Sequence, residues 1–97
     1  MKYYVLIGNF IKNPSEISNF KEIMDEHHAY LKSYKDKGDV LLSGPKKEGG
    51  GGIILVRLNN ESIQNFIDND PFSKAGIQEY EVTEFNIFDR QNYAIEW

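Results

Sequence analysis

Val40-Leu41-Leu42-Ser43-Gly44-Pro45-Lys46-Lys47-Glu48-Gly49-Gly50-Gly51-Gly52-Ile53-Ile54-Leu55-Val56 is the stretch on which the fold turns. It holds two short aliphatic runs separated by turn-forming residues, and each run is too short to make a helix of its own. Val40-Leu41-Leu42 reads as a strand stopped by Ser43-Gly44-Pro45, and Ile53-Ile54-Leu55-Val56 as a second strand, apolar at both parities. The glycine run between them is not a phosphate loop. No Gly-Lys-Ser/Thr follows it, and the next element is a strand rather than a helix. It predicts a mobile hairpin connection, with a lid over a binding site as the functional alternative.

Toward the N-terminus, Ile17, Phe20, Met24, His27, Leu31 and Tyr34 recur at alternating three- and four-residue intervals, which is one face of a helix. Asn13-Pro14-Ser15-Glu16 offers that helix a start, with Asn13 as cap, Pro14 at the first position and Glu16 reaching back. Gly38 supplies the left-handed residue that ends it. Before the helix, Tyr3 to Ile7 is a strand, again apolar at both parities.

Toward the C-terminus, Asn59 or Asn60 is placed to cap a second helix bearing Ile63, Phe66 and Ile67. Pro71 disfavours helical geometry at Asp70, so that helix ends there, and Pro71 to Ala75 makes one further turn closed by Gly76. A last strand runs from about Glu79 to Phe88. Its apolar Val82 and Phe85 have opposite parity, which calls for a bulge or for burial on both faces.

The order β-α-β-β-α-β predicts an α+β, ferredoxin-like sandwich with both helices on one side of the sheet. Strands apolar on both sides then leave a bare apolar face, and such a face usually marks association. A second copy of the chain, giving a homodimer, is the expected cover; the C-terminal segment Gln91 to Trp97 is the alternative one.

The chain's 97 residues leave room for one hydrophobic core, so a single domain is expected, with its core over about residues 2–88 and a tail over 89–97. Cysteine is absent, which removes disulfide frameworks and thiolate metal sites. The net charge is −4 with lysines interleaved among acids, so the basic stripe that nucleic acid requires is missing. Gly52 to Leu58 also lacks the basic and aromatic residues with which such sheets bind RNA. No apolar run approaches the ~20 residues of a membrane span, and the apolar stretch at the N-terminus is too short for a signal sequence. The expected address is cytoplasmic.

His27 stands in the apolar stripe where leucine would be the ordinary choice, whereas His28 falls on the polar side with Lys21, Asp25, Lys32 and Lys35. A histidine on a buried helix face is either hydrogen-bonded filler or a placed acid/base. Asp70 emerges one turn beyond Phe66 and Ile67; it is either a helix cap before Pro71 or the carboxylate that orients an imidazole. Together the two are the minimal equipment for general acid–base chemistry. No metal site is expected, because adjacent histidines point about 100° apart on a helix.

The chain resembles the YciI-like (YCII-related) family of the dimeric α+β barrel superfamily. The resemblance is carried by His27-His28-Ala29-Tyr30-Leu31, by Gly38 with Val40-Leu41-Leu42-Ser43-Gly44-Pro45, and by Asp70-Pro71-Phe72 with Ala75-Gly76, and it covers about residues 2–88. It implies a ferredoxin-like protomer whose sheet pairs with a partner sheet, and a pocket holding a catalytic His and Asp. Those roles fall on His27 and Asp70; His27 rather than His28 stands at the family's distance from Gly38. Many relatives carry an arginine three positions before that histidine, where this chain has Met24. Related superfamily members include isomerases, dehalogenating lyases and monooxygenases. The leading expectation for this chain is proton transfer of lyase or isomerase type on a small organic acid or carbonyl compound, without a cofactor. A cofactor-independent monooxygenase, or a haem site with His27 as axial ligand, is the more distant enzymatic alternative. Ser43, Gly44 and Phe72 would form the substrate-binding edge. The reading from another class is a non-catalytic module that binds a small ligand.

Overall fold

In the computed structural model, which describes residues 1–89, four strands form one antiparallel sheet in the order β2-β3-β1-β4. The elements are β1 (Lys2–Phe10), α1 (Phe20–Asp36), β2 (Val40–Pro45), β3 (Gly52–Leu58), α2 (Ile63–Asp68), α3 (Pro71–Lys74) and β4 (Gln78–Phe85). This is the ferredoxin-like α+β fold.

The register explains how two-sided apolar strands are used. Tyr4 stands opposite Val56 and Leu6 opposite Ile54, and antiparallel partners share a face. These four, with Val40, Leu58, Leu31, Tyr34 and Phe66, make the core between sheet and helices. The other parity pairs Val5 with Leu55 and Ile7 with Ile53, and it points away from the helices. Leu42 and Ile53 on that side are 56% and 46% exposed. Within the described chain, then, one face is packed and the other is bare.

Several local expectations are corrected. Asn13 does accept a hydrogen bond from the Ser15 N–H, but it opens only a one-turn 3-10 helix, Pro14–Glu16. Ile17 is extended and α1 begins at Phe20, after Asn19, whose side chain makes no cap. A cap contributes about 1 kcal/mol and starts a turn; whether the turn continues is decided by packing of the apolar face. The C-terminal stop falls where expected, with Gly38 at φ 86° and the Asp39 N–H bonded to Tyr34 O.

Ser43-Gly44-Pro45 does not stop β2 but belongs to it, pairing with Ile54, Ile53 and Gly52. Proline is tolerated because β2 is an edge strand. The bulge lies in β2 rather than in the last strand. β4 pairs with β1 in unbroken register from Tyr3↔Phe85 to Phe10↔Gln78, and it leaves Val82 exposed. The β2 pairing shifts between Val40 and Leu42. That one-residue slip lets Val40 face the core while Leu42 faces the bare side, and it brings Ser43 back to the helix side opposite Ile54.

The cap of α2 is Ser62, not Asn59 or Asn60: its Oγ accepts the Asn65 N–H at 3.0 Å. Asn60 instead takes a left-handed turn at φ 71°. Ser62→Ala should therefore destabilise the protein by about 1 kcal/mol, whereas Asn59→Ala should leave the thermal midpoint nearly unmoved. Equal shifts in the two variants would contradict this cap assignment. The alternative cover for the bare face, Gln91 to Trp97, lies outside the described residues. Among the described residues no helix is long and apolar enough to cross a membrane.

Candidate active site

One end of the sheet opens into a cavity of about 330 Å³, walled by α1, by Phe72 of α3 and by the strand ends around Ser43–Pro45 and Gly51–Ile54. Aromatic packing shapes it. His27 lies over Phe72 with ring centres 4.2 Å apart and planes within 17°, while Phe20 stacks on Phe72 and Phe10 meets it edge-on. Three quadrupolar rings so arranged hold the imidazole plane fixed.

Behind the imidazole lies Asp70, 0% exposed, delivered there because it is the N-cap of α3. Proline at the next position ends α2 and starts α3, so the cap aspartate sits at the joint and points inward. Its Oδ1 lies 2.6 Å from His27 Nδ1 and accepts the Phe72 N–H at 3.3 Å; its Oδ2 accepts the Tyr80 hydroxyl at 2.6 Å. A buried carboxylate is tolerable only when its oxygens are satisfied in this way. An ionised carboxylate can only accept, so Nδ1 carries a proton, and in the neutral imidazole Nε2 is the nitrogen left with its lone pair. Nε2 has no hydrogen-bond partner among the described residues, and it is not sealed away: Ser73 Oγ is the one fully buried side-chain polar atom there without a partner. His27 lines the cavity, and its unbonded nitrogen is the one available to a ligand.

Ser43, Gly44 and Phe72 all line the same cavity as His27, and Asp70 stands behind it. Met24 is also in the wall and contributes a thioether to it. His28 is exposed, as its place on the polar face requires; its ring, 5.7 Å from His27, also reaches the cavity rim. The glycine connection is tied in rather than loose: Phe10 N–H bonds to Gly50 O, Lys46 N–H bonds to Gly51 O, and Gly51 is buried in the cavity wall. Among the described residues no group of three or more His, Asp or Glu is placed to hold a metal ion.

Two residues of the site, Gln78 and Tyr80, were not legible as such. Reading the last strand from Glu79 cut off Gln78 and left Tyr80 without a face. The signal that could have found them is Gly8, a residue with no side chain in the middle of a bulky strand, which marks a close approach. Gly8 stands opposite Tyr80, and Gln78 fills the space its missing side chain leaves. Burial, and then the adjacent Asp70 charge, push the Tyr80 phenol well above its ordinary range, so it remains an O–H donor at any neutral or mildly alkaline pH.

Fold and cavity together define a ferredoxin-like protein with a buried His–Asp pair behind a small apolar pocket. The chain belongs to the YCII-related domain family, whose family model matches residues 1–86. Among solved structures it is similar to the 5-chloro-2-hydroxyhydroquinone dehydrochlorinase TftG of Burkholderia phenoliruptrix AC1100, in complex with 2,5-dihydroxybenzoquinone. The similarity covers 87% of this chain and 93% of that one at 18% identity, with a TM-score of 0.59. At that identity the likeness is one of fold. A comparison with curated proteins gives no match.

Proposed function

We propose that this protein is a small-molecule enzyme that moves a proton, with His27 Nε2 as the acid/base and Asp70 as its orienting partner. The observation that carries the reading is the 2.6 Å Nδ1–Oδ1 contact, which leaves the opposite ring nitrogen bare beside a small cavity. Nε2 takes a proton from an O–H, or from a C–H next to a carbonyl. The imidazolium so formed is stabilised by the Asp70 carboxylate, and the proton is then returned elsewhere on the product or leaves with a departing group. Ser43, the Gly44 backbone and the Phe72 ring hold the substrate at the cavity edge. Reaction of lyase or isomerase type follows, on a small carbonyl compound or organic acid. The similar fold of a dehydrochlorinase that holds a dihydroxyquinone supports a planar, enolisable substrate.

The direct test uses 5-chloro-2-hydroxyhydroquinone and unchlorinated hydroxyquinones as probes, read by chloride release and by deuterium exchange into the ring. Chloride release or exchange above the rate of His27→Gln supports the proposal. Ligand-induced NMR shifts at Phe72 with neither reaction would leave the non-catalytic ligand-binding module as the better reading.

The active form we propose is a cytoplasmic homodimer. The bare face carries Val5, Ile7, Leu42, Ile53 and Leu55 side by side, and a second copy presenting the same residues is the complementary cover. Light scattering should give twice the mass of the 11.2 kDa chain at micromolar concentration. Val5→Lys, at the centre of that face, should give the single-chain mass. A wild-type mass of one chain, independent of dilution, would defeat the dimer.

A further inference from the structure

The hydrogen-bonded chain does not end at Asp70. Its Oδ2 accepts the Tyr80 hydroxyl at 2.6 Å, and the Tyr80 oxygen accepts the Gln78 amide at 2.9 Å. Gln78 is 5% exposed and lies against Gly8, where an added Cβ would come within 2.7 Å of its amide carbon. The proton transfer described above uses neither residue.

We propose that Tyr80 is the positioning residue of the site: its hydroxyl, aimed by Gln78, fixes the Asp70 carboxylate so that His27 keeps its proton on Nδ1 and offers Nε2 to the cavity. The catalytic consequence rests on the acid–base reading of His27; the geometric one does not. A carboxylate turns readily about its terminal torsion, which is broad and roughly two-fold. Tyr80 holds Oδ2 and thereby keeps Oδ1 against the imidazole. A donated hydrogen bond also stabilises the anion, so Asp70 competes less for the Nδ1 proton. The hydroxyl has one hydrogen and two lone pairs, and accepting from Gln78 leaves that hydrogen for Asp70. The Phe72 N–H cannot substitute, since it is the longer contact, 3.3 Å, and falls on the oxygen already facing His27.

Long-range proton–nitrogen NMR of the two imidazoles tests this without any substrate. At a pH where both rings are neutral, and with His28 as reference, wild-type His27 should show a single Nδ1–H form. Tyr80→Phe, which removes only the hydroxyl, should show both tautomers and a faster-exchanging Nδ1 proton. Turnover of whichever probe reacts should fall about 10- to 100-fold, the usual effect of losing an outer partner, with KM little changed. If Tyr80→Phe does not fold, Gln78→Met removes the aiming amide at similar volume and should move the tautomer balance the same way. Redistribution of the ring proton in Tyr80→Phe, with turnover untouched in Asp70→Asn, would uphold the positioning role and remove the acid–base reading instead. A His27 ring that stays in the single Nδ1–H form with an unchanged proton in Tyr80→Phe or, should that not fold, in Gln78→Met, overturns the proposal.

Discussion

His27→Gln and Asp70→Asn are each expected to lower turnover by about 10²- to 10⁴-fold, the range that a positioned acid/base contributes. His27→Gln removes the nitrogen that takes the proton. Asp70→Asn keeps the shape but replaces a carboxylate by an amide that can donate, so the ring is free to place its proton on Nε2 and lose its lone pair there. Because the two act as one unit, the double variant should be scarcely slower than either single one. His28→Gln, at the exposed rim, should change turnover little. Stability separates site from scaffold. If the pair is structural, removing one partner leaves a buried polar group unsatisfied, at a cost of about 1–3 kcal/mol, and the protein melts early. A placed catalytic pair often behaves the other way, with stability unchanged or raised on replacement. Early melting in both single variants, with no activity lost beyond what unfolding accounts for, would return both residues to the scaffold.

Gly51→Ala should be the most damaging change in the glycine run, and Gly49→Ala a mild one. Gly51 has φ 146°, outside the left-handed helical region that other residues can visit, and a Cβ there would lie 1.8 Å from Gly8 O. Backbone strain of this kind costs about 1–3 kcal/mol, and forcing an atom into a packed site costs about 1–3 kcal/mol more. Set against a typical stability of about 5–15 kcal/mol, that is a large loss, expected as a fall in melting temperature of about 10 °C or more. Gly49 is at φ 82° with open space around its missing side chain, so alanine there meets only the left-handed penalty of about 1–2 kcal/mol. The two also differ in function. Gly51 lies in the cavity wall and backs onto Gly8, which in turn faces Gln78; displacing it should disturb ligand binding. Variants that melt together and bind probes equally would show that the connection is a passive link.

The order of elements, the helix bearing His27 and the left-handed stop at Gly38 were determined by the sequence, because each depends on local periodicity or on one residue's backbone freedom. So was the choice of His27 over His28: burial on a helix follows angle, and angle follows spacing. Periodicity also marked both faces of β1 and β3 as apolar. What it could not say is how far a capped turn propagates, so α1 begins at Phe20 rather than beside Asn13. Nor could it place the slip between Val40 and Leu42, because a bulge answers to the partner strand and not to its own residues. The site shows the same division. Local sequence made Asp70 readable as a cap before Pro71, and its pairing with His27 was open only as the second reading and as what the family resemblance implied. That the same carboxylate meets His27, 43 positions earlier, and Tyr80, 10 positions later, was decided only when α1, α3 and β4 packed together. A charge with no water near it must find donors wherever the fold brings them, and sequence spacing carries no record of which residues those will be.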